Sequence, residues 1–247
     1  MRRAILITGA SRGVGRATAV AFAERGDRVA IHHRDSAEAA QELRLELAGE
    51  GHVVVQADLA QPFAIQAMVT EAATALGSLD VVVNNAARSG PHPITDVSYE
   101  EWQAEWRQTI DVNLMGAANV IYWAVRHMKR GGRIVNVSSR GAFRGEPQQP
   151  AYGASKAGLN ALGQSLAVAL APRGIAVATV APGYVEIDTS NAHLKSPRGP
   201  EIRAQSPFNR VARPEEVAAA IVWLSSPEAE WASGAILDLN GASYSRS

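Results

Sequence analysis

The stretch TGASRGVGRA, residues 8–17, decides the fold of this chain. It places Gly9, Gly13 and Gly15 between a short apolar run and a segment with the character of a helix. Glycines permit a tight turn and let a ligand approach the backbone closely, while the free N–H groups and the dipole at the start of a helix favour an anion. At the first strand-to-helix turn of an α/β chain, such a cluster predicts a phosphate cradle for a dinucleotide.

Short apolar runs rich in Val and Ile recur along the chain and mostly lack the polar alternation of a half-exposed strand, so they are typical of a parallel sheet buried on both faces. They predict strands at 4–8, 28–32, 52–56, 79–83, 133–137, 175–180 and 235–239. Helix-like segments alternate with them at 13–25, 36–49, 62–76, 99–129, 152–171 and 214–226. This alternation predicts an α/β fold, namely a Rossmann-type, doubly wound, seven-stranded parallel sheet with helices on both faces.

The whole chain, 1–247, is expected to form a single dinucleotide-binding domain, because no repeat, low-complexity tract or linker interrupts the pattern. Ser98 and Glu101 have the spacing of a capping box at the start of the fourth helix, and Pro214 lies near the first turn of the last one. Residues 183–212 show no clear periodicity. Long loops in compact domains are usually functional, so we interpret this segment as a substrate lid, the alternative being an ordinary surface excursion.

Composition excludes several classes of protein. Lys and Arg together number 24, as do Asp and Glu, so no global charge excess points to nucleic acid or an anionic membrane as partner. There is no cysteine, which excludes disulfides and thiolate sites and leaves the redox compartment open. The N-terminus lacks the longer apolar core of a signal peptide, and no stretch approaches the ~20 apolar residues of a membrane span. We therefore expect a soluble cytoplasmic protein.

A tyrosine and a lysine stand four residues apart within RGEPQQPAYGASKAGLNAL. Tyr152 and Lys156 lie on one face of the predicted helix, with their β-carbons roughly 5–6 Å apart. At that distance an ammonium can act on a phenol. The alternative is a tyrosine packed by its ring beside a solvated lysine, so the surrounding motifs decide between the two.

Those motifs occur in a fixed order along essentially the whole chain. They are Thr8-Gly9-x-x-x-Gly13-x-Gly15, Asp58, Asn84-Asn85-Ala86, Asn113, Ser139 thirteen residues before Tyr152, Lys156, and Pro182-Gly183. In this order and spacing the chain resembles a short-chain dehydrogenase/reductase of the compact, single-domain type, similar to 3-oxoacyl-[acyl-carrier-protein] reductases. Several spaced motifs in the right order are far more specific than any one of them.

The resemblance implies four catalytic residues. A ketone that accepts hydride develops alkoxide character, and Tyr152 would give it a proton while Ser139 hydrogen-bonds the carbonyl oxygen. Ser138 is the neighbour and rival of Ser139. Lys156 would favour the phenolate of the tyrosine and hold the nicotinamide ribose. Asn113 would hold water that links Lys156 to solvent, unless it is a buried polar residue that ties helix to strand.

The resemblance also implies a set of cofactor-binding residues. They are Gly9, Ser11, Arg12, Gly13, Val14, Gly15, Arg34, Asp58, Leu59, Asn85, Ala86, Tyr152, Lys156, Pro182, Gly183 and Val185. Asp58 with Leu59 would face the adenine, although Asp58 could instead cap a helix or turn. Of the two asparagines after the fourth strand, Asn84 is expected to be the structural one.

The chain departs from the family pattern at three places. Ala87 replaces a usual glycine, and LNGA at 239–242 replaces a more usual Asp-Gly-Gly, which bears on folding and assembly more than on chemistry. Ile187 stands where a threonine often contacts the nicotinamide carboxamide. Asp188, Thr189 or the backbone would have to supply that contact.

The end of the second strand, VAIHHRDS, bears on the choice of cofactor. An NAD enzyme usually places an acidic residue there for the ribose 2′-hydroxyl, whereas a 2′-phosphate requires an arginine. His33 occupies the acidic position, Arg34 follows it, and Arg12 could reach the same phosphate from the glycine turn. The sequence therefore favours NADP(H), with NAD(H) possible if Asp35 serves the ribose.

The resulting hypothesis is an oxidoreductase that transfers a hydride between NADP(H) and a carbonyl or secondary alcohol substrate. The alternative is a non-catalytic nucleotide-binding or regulatory protein with the same fold. We expect no metal site, because His32 and His33 are adjacent and point to opposite faces of a strand. Family habit implies a homotetramer, or a dimer, with the fourth and fifth helices at one interface.

Overall fold

The structure is a computed structural model that describes residues 2–187 and 193–246. Seven parallel strands form one sheet in the order β3-β2-β1-β4-β5-β6-β7. The strands are β1 (Ala4–Ile7), β2 (Arg28–His33), β3 (Val53–Gln56), β4 (Leu79–Asn84), β5 (Met128–Val137), β6 (Ala176–Pro182) and β7 (Ile236–Leu239). The predicted fold class is confirmed.

Helices cover both faces of the sheet. They are α1 (Gly13–Ala23), α2 (Ala37–Glu46), α3 (Pro62–Leu76), α4 (Tyr99–Ile110), α5 (Ala117–Ala124), α6 (Gly141–Arg144), α7 (Pro150–Leu170), α8 (Gly199–Ala204) and α9 (Pro214–Leu224). Short 3₁₀ turns cover Ala171–Arg173 and Pro227–Ala232. In residues 2–187 and 193–246, no helix has the length and apolar character needed to cross a membrane.

Two apolar cores lie on opposite faces of the sheet because successive strand residues point to opposite sides. On β1, Leu6 packs with the core under α3, α5 and α7, while Ile5 and Ile7 pack with the core under α1, α2 and α9. The strands are therefore buried on both faces, as their unbroken apolar runs predict.

The helix start signals predicted from the sequence are formed in the structure. The Ser98 hydroxyl accepts from the Glu101 N–H at 3.2 Å, and the Glu101 carboxylate accepts from the Ser98 N–H at 2.8 Å, which completes a capping box. Proline occupies the first turn of α7 and of α9. Alanine at 242 adopts a left-handed φ of 58°, a conformation that glycine adopts more easily.

The predicted helix at 99–129 is wrong at its carboxyl end and in its interior. The segment contains a π-helical turn, Asp111–Gly116, and the helix ends at Ala124. Strand β5 begins at Met128, which pairs with Leu79 before the register shifts at the next contact. Gly131, with a φ of 92°, lies inside this irregular stretch, where an ordinary residue would be strained. Helical periodicity in the sequence does not reveal that the residues from Met128 onward pair with β4 instead.

The segment 183–212 is partly ordered into regular structure. Its two ends meet where Val185 forms a parallel bridge with Ala212, and it contains α8. Residues 188–192, which include Asp188 and Thr189, lie outside the described part of the chain.

Candidate active site

The glycine turn after β1 is built so that backbone can approach a ligand. Gly9 and Gly13 adopt positive φ values of 63° and 55°, which glycine alone adopts without strain. A Cβ on Gly15 would lie 2.3 Å from the Gly9 carbonyl oxygen, so that position has no room for a side chain. The first N–H groups of α1 receive no side-chain cap from Arg12. The turn therefore has the shape and open donors that fit a pyrophosphate.

The buried imidazole of His32 supports this turn from below. Its Nδ1 accepts from the Gly9 N–H at 3.0 Å, and its Nε2–H donates to the Ala57 carbonyl at 3.1 Å. Burial lowers the pKa of His32 to about 4, so the ring is neutral and keeps both roles. No local sequence pattern indicates this contact, because only the folded sheet brings the ends of β1, β2 and β3 together.

The other predicted residues of the turn surround this arrangement. Ser11 is buried, Val14 is half-buried and Arg12 is exposed. The side chain of Ile187 covers Gly13, since a Cβ built there would lie 3.1 Å from the isoleucine Cγ2. The segment 183–212 thus touches the glycine turn.

The two asparagines after β4 have different partners. Asn84 donates to the Asn136 side chain at 2.9 Å and so joins β4 to β5. Asn85 donates to the carbonyls of Thr8 and Gly9 at 2.9 and 3.0 Å, and the Ala86 N–H donates to the Thr8 hydroxyl at 3.0 Å. Asn84 joins two strands, whereas Asn85 and Ala86 fix the edge of the glycine turn.

Residues predicted to bind the adenine half lie at the carboxyl ends of β2 and β3. Asp58 accepts from the Ala60 N–H at 2.9 Å, which is the capping contact considered as its alternative role, and Leu59 is buried. Arg34 and Asp35 are exposed and form an ion pair with each other. The His33 ring is buried, and within the described chain its Nδ1 has no hydrogen-bond partner.

The tyrosine and lysine lie on one face of α7 beside the end of β5. The Lys156 Nζ donates to the Val137 carbonyl at 2.7 Å and lies 5.7 Å from the centroid of the Tyr152 ring. Lys156 is 2% exposed, and its burial lowers its pKa to about 8. Burial raises the pKa of Tyr152, a hydrogen bond with Ser139 opposes that rise, and the charge of Glu146 adds to it. The phenol is therefore protonated and available as a proton donor.

The structure distinguishes the two candidate serines. Ser139 hydrogen-bonds Tyr152, and its oxygen accepts from the Gly141 N–H at 3.0 Å. Ser138 is buried and donates to the Lys156 carbonyl at 3.2 Å. Ser139 thus faces the tyrosine, and Ser138 ties β5 to α7.

Asn113 lies in the π-helical turn, and both hydrogens of its side-chain amide have partners. The oxygen accepts from the Arg88 N–H at 2.8 Å, while the nitrogen donates to the Arg88 carbonyl at 2.9 Å and to the Ser155 hydroxyl at 3.0 Å. The side chain therefore joins the loop after β4 to α7, as its alternative role as a buried tie requires. The oxygen keeps a second lone pair, and the predicted contact with water stays a prediction.

Pro182, Gly183 and Val185 lie where β6 ends beside the tyrosine and serine. The Pro182 carbonyl accepts from the Arg140 N–H at 2.9 Å. A Cβ on Gly183 would lie 3.0 Å from the Asn240 Cα, so the ends of β6 and β7 are in close contact there.

Sequence reasoning missed His92, which caps the catalytic helix. Its Nε2 accepts from the Ala151 N–H at 3.1 Å, next to Tyr152, and its Nδ1–H donates to the Gly90 carbonyl at 2.7 Å. Its ring packs edge-on against Trp102. Nothing in the local pattern around PHP indicates this contact, because the partners are 59 residues apart. In the described ranges, no three His, Cys, Asp or Glu side chains come together as metal ligands.

Comparisons with known proteins agree with this geometry. A family model described as "Enoyl-(Acyl carrier protein) reductase" matches residues 9–241. The chain is 36% identical to the 3-oxoacyl-[acyl-carrier-protein] reductase FabG of Staphylococcus aureus, over 99% of each chain. It is 39% identical to the cis-4-hydroxycyclohexanecarboxylate dehydrogenase of Sinomonas cyclohexanicum, over 97% of this chain and 95% of that one.

A solved structure is similar in fold throughout. The short-chain dehydrogenase from Burkholderia cenocepacia J2315, in complex with NADP, has a TM-score of 0.90 and 32% identity, over 98% of this chain and 97% of that one. The predicted family and the predicted class of NAD(P)-dependent enzyme are confirmed. The chain belongs to the short-chain dehydrogenase/reductase family of oxidoreductases.

Proposed function

We propose that this enzyme reduces a ketone to a secondary alcohol, or runs the reverse reaction, with NADP(H) as cofactor. The observation that carries the proposal is the hydrogen-bonded pair of Ser139 and Tyr152, with Lys156 buried beneath it. This group stands at the carboxyl end of the sheet, the edge that carries the glycine turn.

The residues divide the proton chemistry between them. The reduced nicotinamide, when bound, supplies the hydride. The Gly141 N–H donates to the Ser139 oxygen and so orients the hydroxyl, whose single proton can turn from Tyr152 to a substrate carbonyl when one is bound. Tyr152 is protonated because burial raises its pKa, and it can pass its proton to the alkoxide oxygen. The positive charge of Lys156 then stabilises the phenolate that remains.

The fit to a dinucleotide rests on a turn whose backbone is too closely packed for side chains. The clash at Gly15 and the left-handed φ of Gly9 require glycine at both positions, which leaves backbone N–H groups at the surface of the turn. Lys156 lies at the same edge of the sheet and would hold the nicotinamide ribose, as the family resemblance implies.

The preference for NADP(H) is supported by the residues at the end of β2. Arg34 is exposed there, Arg12 is exposed on the glycine turn, and a similar structure contains NADP.

The cofactor preference is tested by the ratio of kcat/KM for NADPH over NADH. We expect NADPH to be preferred, and Arg34→Ala to reduce its use by about 10-fold while NADH use changes little. A wild-type preference for NADH that Asp35→Ala removes would assign the ribose to Asp35 instead.

The substrate class is tested with a carbonyl panel and NADPH, following the loss of reduced-nicotinamide absorbance. Two relatives define its members: a 3-oxoacyl thioester from the reductase and 4-oxocyclohexanecarboxylate from the dehydrogenase. We expect turnover of at least one ketone. NADPH binding without turnover of any carbonyl would instead favour the non-catalytic binding protein.

We propose that residues 183–212 act as a lid over the bound substrate. Support comes from the bridge between Val185 and Ala212 at its base and from the contact of Ile187 with Gly13. Hydrogen exchange in this segment should slow when NADP and a substrate analogue are added. Equal protection with and without ligands would make it a static loop.

The homotetramer and the cytoplasmic location remain proposals. Exposed apolar side chains on the long helices support an interface there, including Met115 and Tyr122 at 50% and 53% exposure and Val168 on α7 at 78%. Sedimentation of the wild type and of Val168→Glu tests this. We expect a tetramer or dimer that the glutamate weakens, and a monomeric wild type would contradict it.

A further inference from the structure

The guanidinium of Arg140 is buried at the end of β5, directly after Ser139. Arg140 is 4% exposed. Its side chain donates to the Ser243 hydroxyl and the Gln205 carbonyl oxygen, and it lies 5.2 Å from the centroid of the Tyr184 ring. It therefore bridges the carboxyl ends of three strands and the segment 183–212.

Among the described residues, this buried charge has no ion-pair partner. In residues 2–187 and 193–246, no carboxylate forms an ion pair with Arg140, and acceptors are present for two of its five side-chain N–H groups. Burial lowers its pKa, as does the positive charge of Arg144, while the charge of Glu146 acts in the opposite direction. A charge that is buried without a counterion costs free energy, so a protein that keeps one there commonly uses it.

Arg140 lines a cleft of about 260 Å³, and the other charged residues of its wall are already paired. Arg210 contacts both carboxylate oxygens of Glu216, at 2.8 and 2.7 Å. Asp238 accepts from Arg246 at 2.8 Å. Within the described chain, Arg140 is the charged wall residue without an ion-pair partner, so the cleft offers an anion one guanidinium.

The position of this guanidinium relates it to the reaction. Arg140 follows Ser139 in the chain, and its backbone N–H is fixed to the Pro182 carbonyl at 2.9 Å. The cleft opens at the ends of β6 and β7, the same edge of the sheet where Tyr152 and Ser139 meet. Ser139 and Tyr152 do not line the cleft themselves. A ligand with its carbonyl at Ser139 would therefore reach the cleft by extending past Arg140, the next residue in the chain.

We propose that Arg140 binds a carboxylate carried by the substrate, so that the preferred substrates are oxo- or hydroxy-acids. A planar carboxylate matches the fork of an arginine, which forms two parallel charge-assisted hydrogen bonds with it. Gln205 and Ser243 hold the guanidinium in place, and Arg144 adds positive charge nearby. This inference rests on the proposed function, since it names the substrate class of that site.

The kinetic test compares 4-oxocyclohexanecarboxylate with its methyl ester, which has the same ketone without the charge. We expect the wild type to prefer the acid. Arg140→Gln should reduce kcat/KM for the acid by about 10- to 100-fold, mainly through KM, and leave the ester within about threefold. Arg140→Lys should retain part of the preference. The matched control is the double substitution Arg210→Gln/Glu216→Gln, which removes an ion pair of no net charge from the same cleft wall and should leave the ratio of acid to ester unchanged.

A binding measurement separates this site from turnover. Calorimetric titration with cyclohexanecarboxylate should show binding that Arg140→Gln weakens by at least 10-fold, with inorganic phosphate as the free-anion probe. Equal loss of phosphate and carboxylate binding, with no difference between acid and ester, would make this a general anion site and overturn the proposal. The melting temperature of ligand-free Arg140→Gln should change little, because removal of an unpaired buried charge offsets the loss of the hydrogen bonds to Gln205 and Ser243. A large fall would indicate a structural role and overturn it as well.

The outcomes also separate this proposal from the proposed function. If the wild type reduces acid and ester equally and Arg140→Gln does not weaken carboxylate binding, the inference fails while the ketone reductase stands. If neither compound nor any other carbonyl is reduced, yet cyclohexanecarboxylate binds in an Arg140-dependent manner, the carboxylate site stands and the reductase function fails.

Discussion

The cofactor side and the substrate side of this enzyme are constructed differently. On the cofactor side, the glycine turn depends on backbone shape and on short contacts such as that between His32 and Gly9. On the substrate side, Arg140 is held by Gln205 and Ser243, which are 65 and 103 residues away in the chain. The cofactor side tolerates little change, because a Cβ added at Gly15 would collide with the backbone. The side proposed to bind substrate could change its chemistry through one side chain.

The largest expected effect comes from the reacting group between the two sides. Tyr152→Phe removes the proton donor and leaves the ring in place. We expect kcat to fall by about 10²–10⁴-fold, while the affinity for NADPH stays within a few-fold. Steady-state kinetics and fluorescence titration of NADPH measure the two quantities. A near-normal kcat would remove Tyr152 from the mechanism.

Gly15→Ala tests whether the cofactor side is as intolerant as its geometry indicates. The new Cβ would lie 2.3 Å from the Gly9 carbonyl oxygen and 2.6 Å from the Asn85 side-chain nitrogen. Shifting these groups should cost about 1–3 kcal/mol and weaken NADPH binding by at least 10-fold, as calorimetry would measure.

Gly26→Ala is the control for that substitution, because it lies just beyond the other end of α1. Gly26 has a positive φ of 82° but open space around its Cα. Alanine there should lower stability through backbone strain and leave cofactor affinity unchanged. Equal effects of both substitutions on NADPH binding would contradict the special role of the turn.

The buried lysine predicts a pH dependence of stability. The pKa of Lys156 is about 8 in the folded protein and about 10.4 in an unfolded chain, so between these values the unfolded chain binds the additional proton. The free energy of unfolding should therefore rise with pH from 8 to about 10, by about 2 kcal/mol from this group. The raised pKa of Tyr152 acts in the opposite direction above about pH 10, which limits the window.

Denaturant unfolding of the ligand-free wild type and of Lys156→Met at several pH values measures this contribution. The difference between the two proteins should grow with pH in favour of the wild type. Parallel curves would show that Lys156 keeps an ordinary pKa in the folded state.

The smallest effect concerns the support of the catalytic helix. His92→Ala removes the cap on the Ala151 N–H and should lower the free energy of unfolding by about 1 kcal/mol, with a few-fold loss in kcat because Tyr152 is the next residue. Unfolding curves and kinetics test both. His127→Ala, in the turn before β5, is the matched histidine control and should change neither. Unchanged stability in His92→Ala would make this contact dispensable.

Most of the fold follows from local patterns in the sequence. Apolar runs predict every strand within a few residues, because buried parallel strands need no partner-specific signal. The four-residue spacing of Tyr152 and Lys156 and the glycines of the turn likewise identify the site from short stretches. The failure at 99–129 has a physical cause, since pairing of Met128 with Leu79 overrides the helical pattern.

The surroundings of Arg140 and His92 could not be predicted from the same local patterns. The sequence placed Arg140 beside Ser139 without indicating that it is buried, because its burial depends on α8 and the end of β7. His92 was missed for the same reason, since its role arises only when two distant segments meet. Sequence patterns report contacts within an element, whereas the burial of Arg140 and the role of His92 depend on contacts between elements.

The contact between His92 and Trp102 also gives the enzyme an intrinsic fluorescent probe. An indole that packs on an imidazole emits differently from one in water, and Trp231 is fully exposed for comparison. Movement of the loop after β4 on ligand binding would therefore change the emission of Trp102, one of the five tryptophans of the chain.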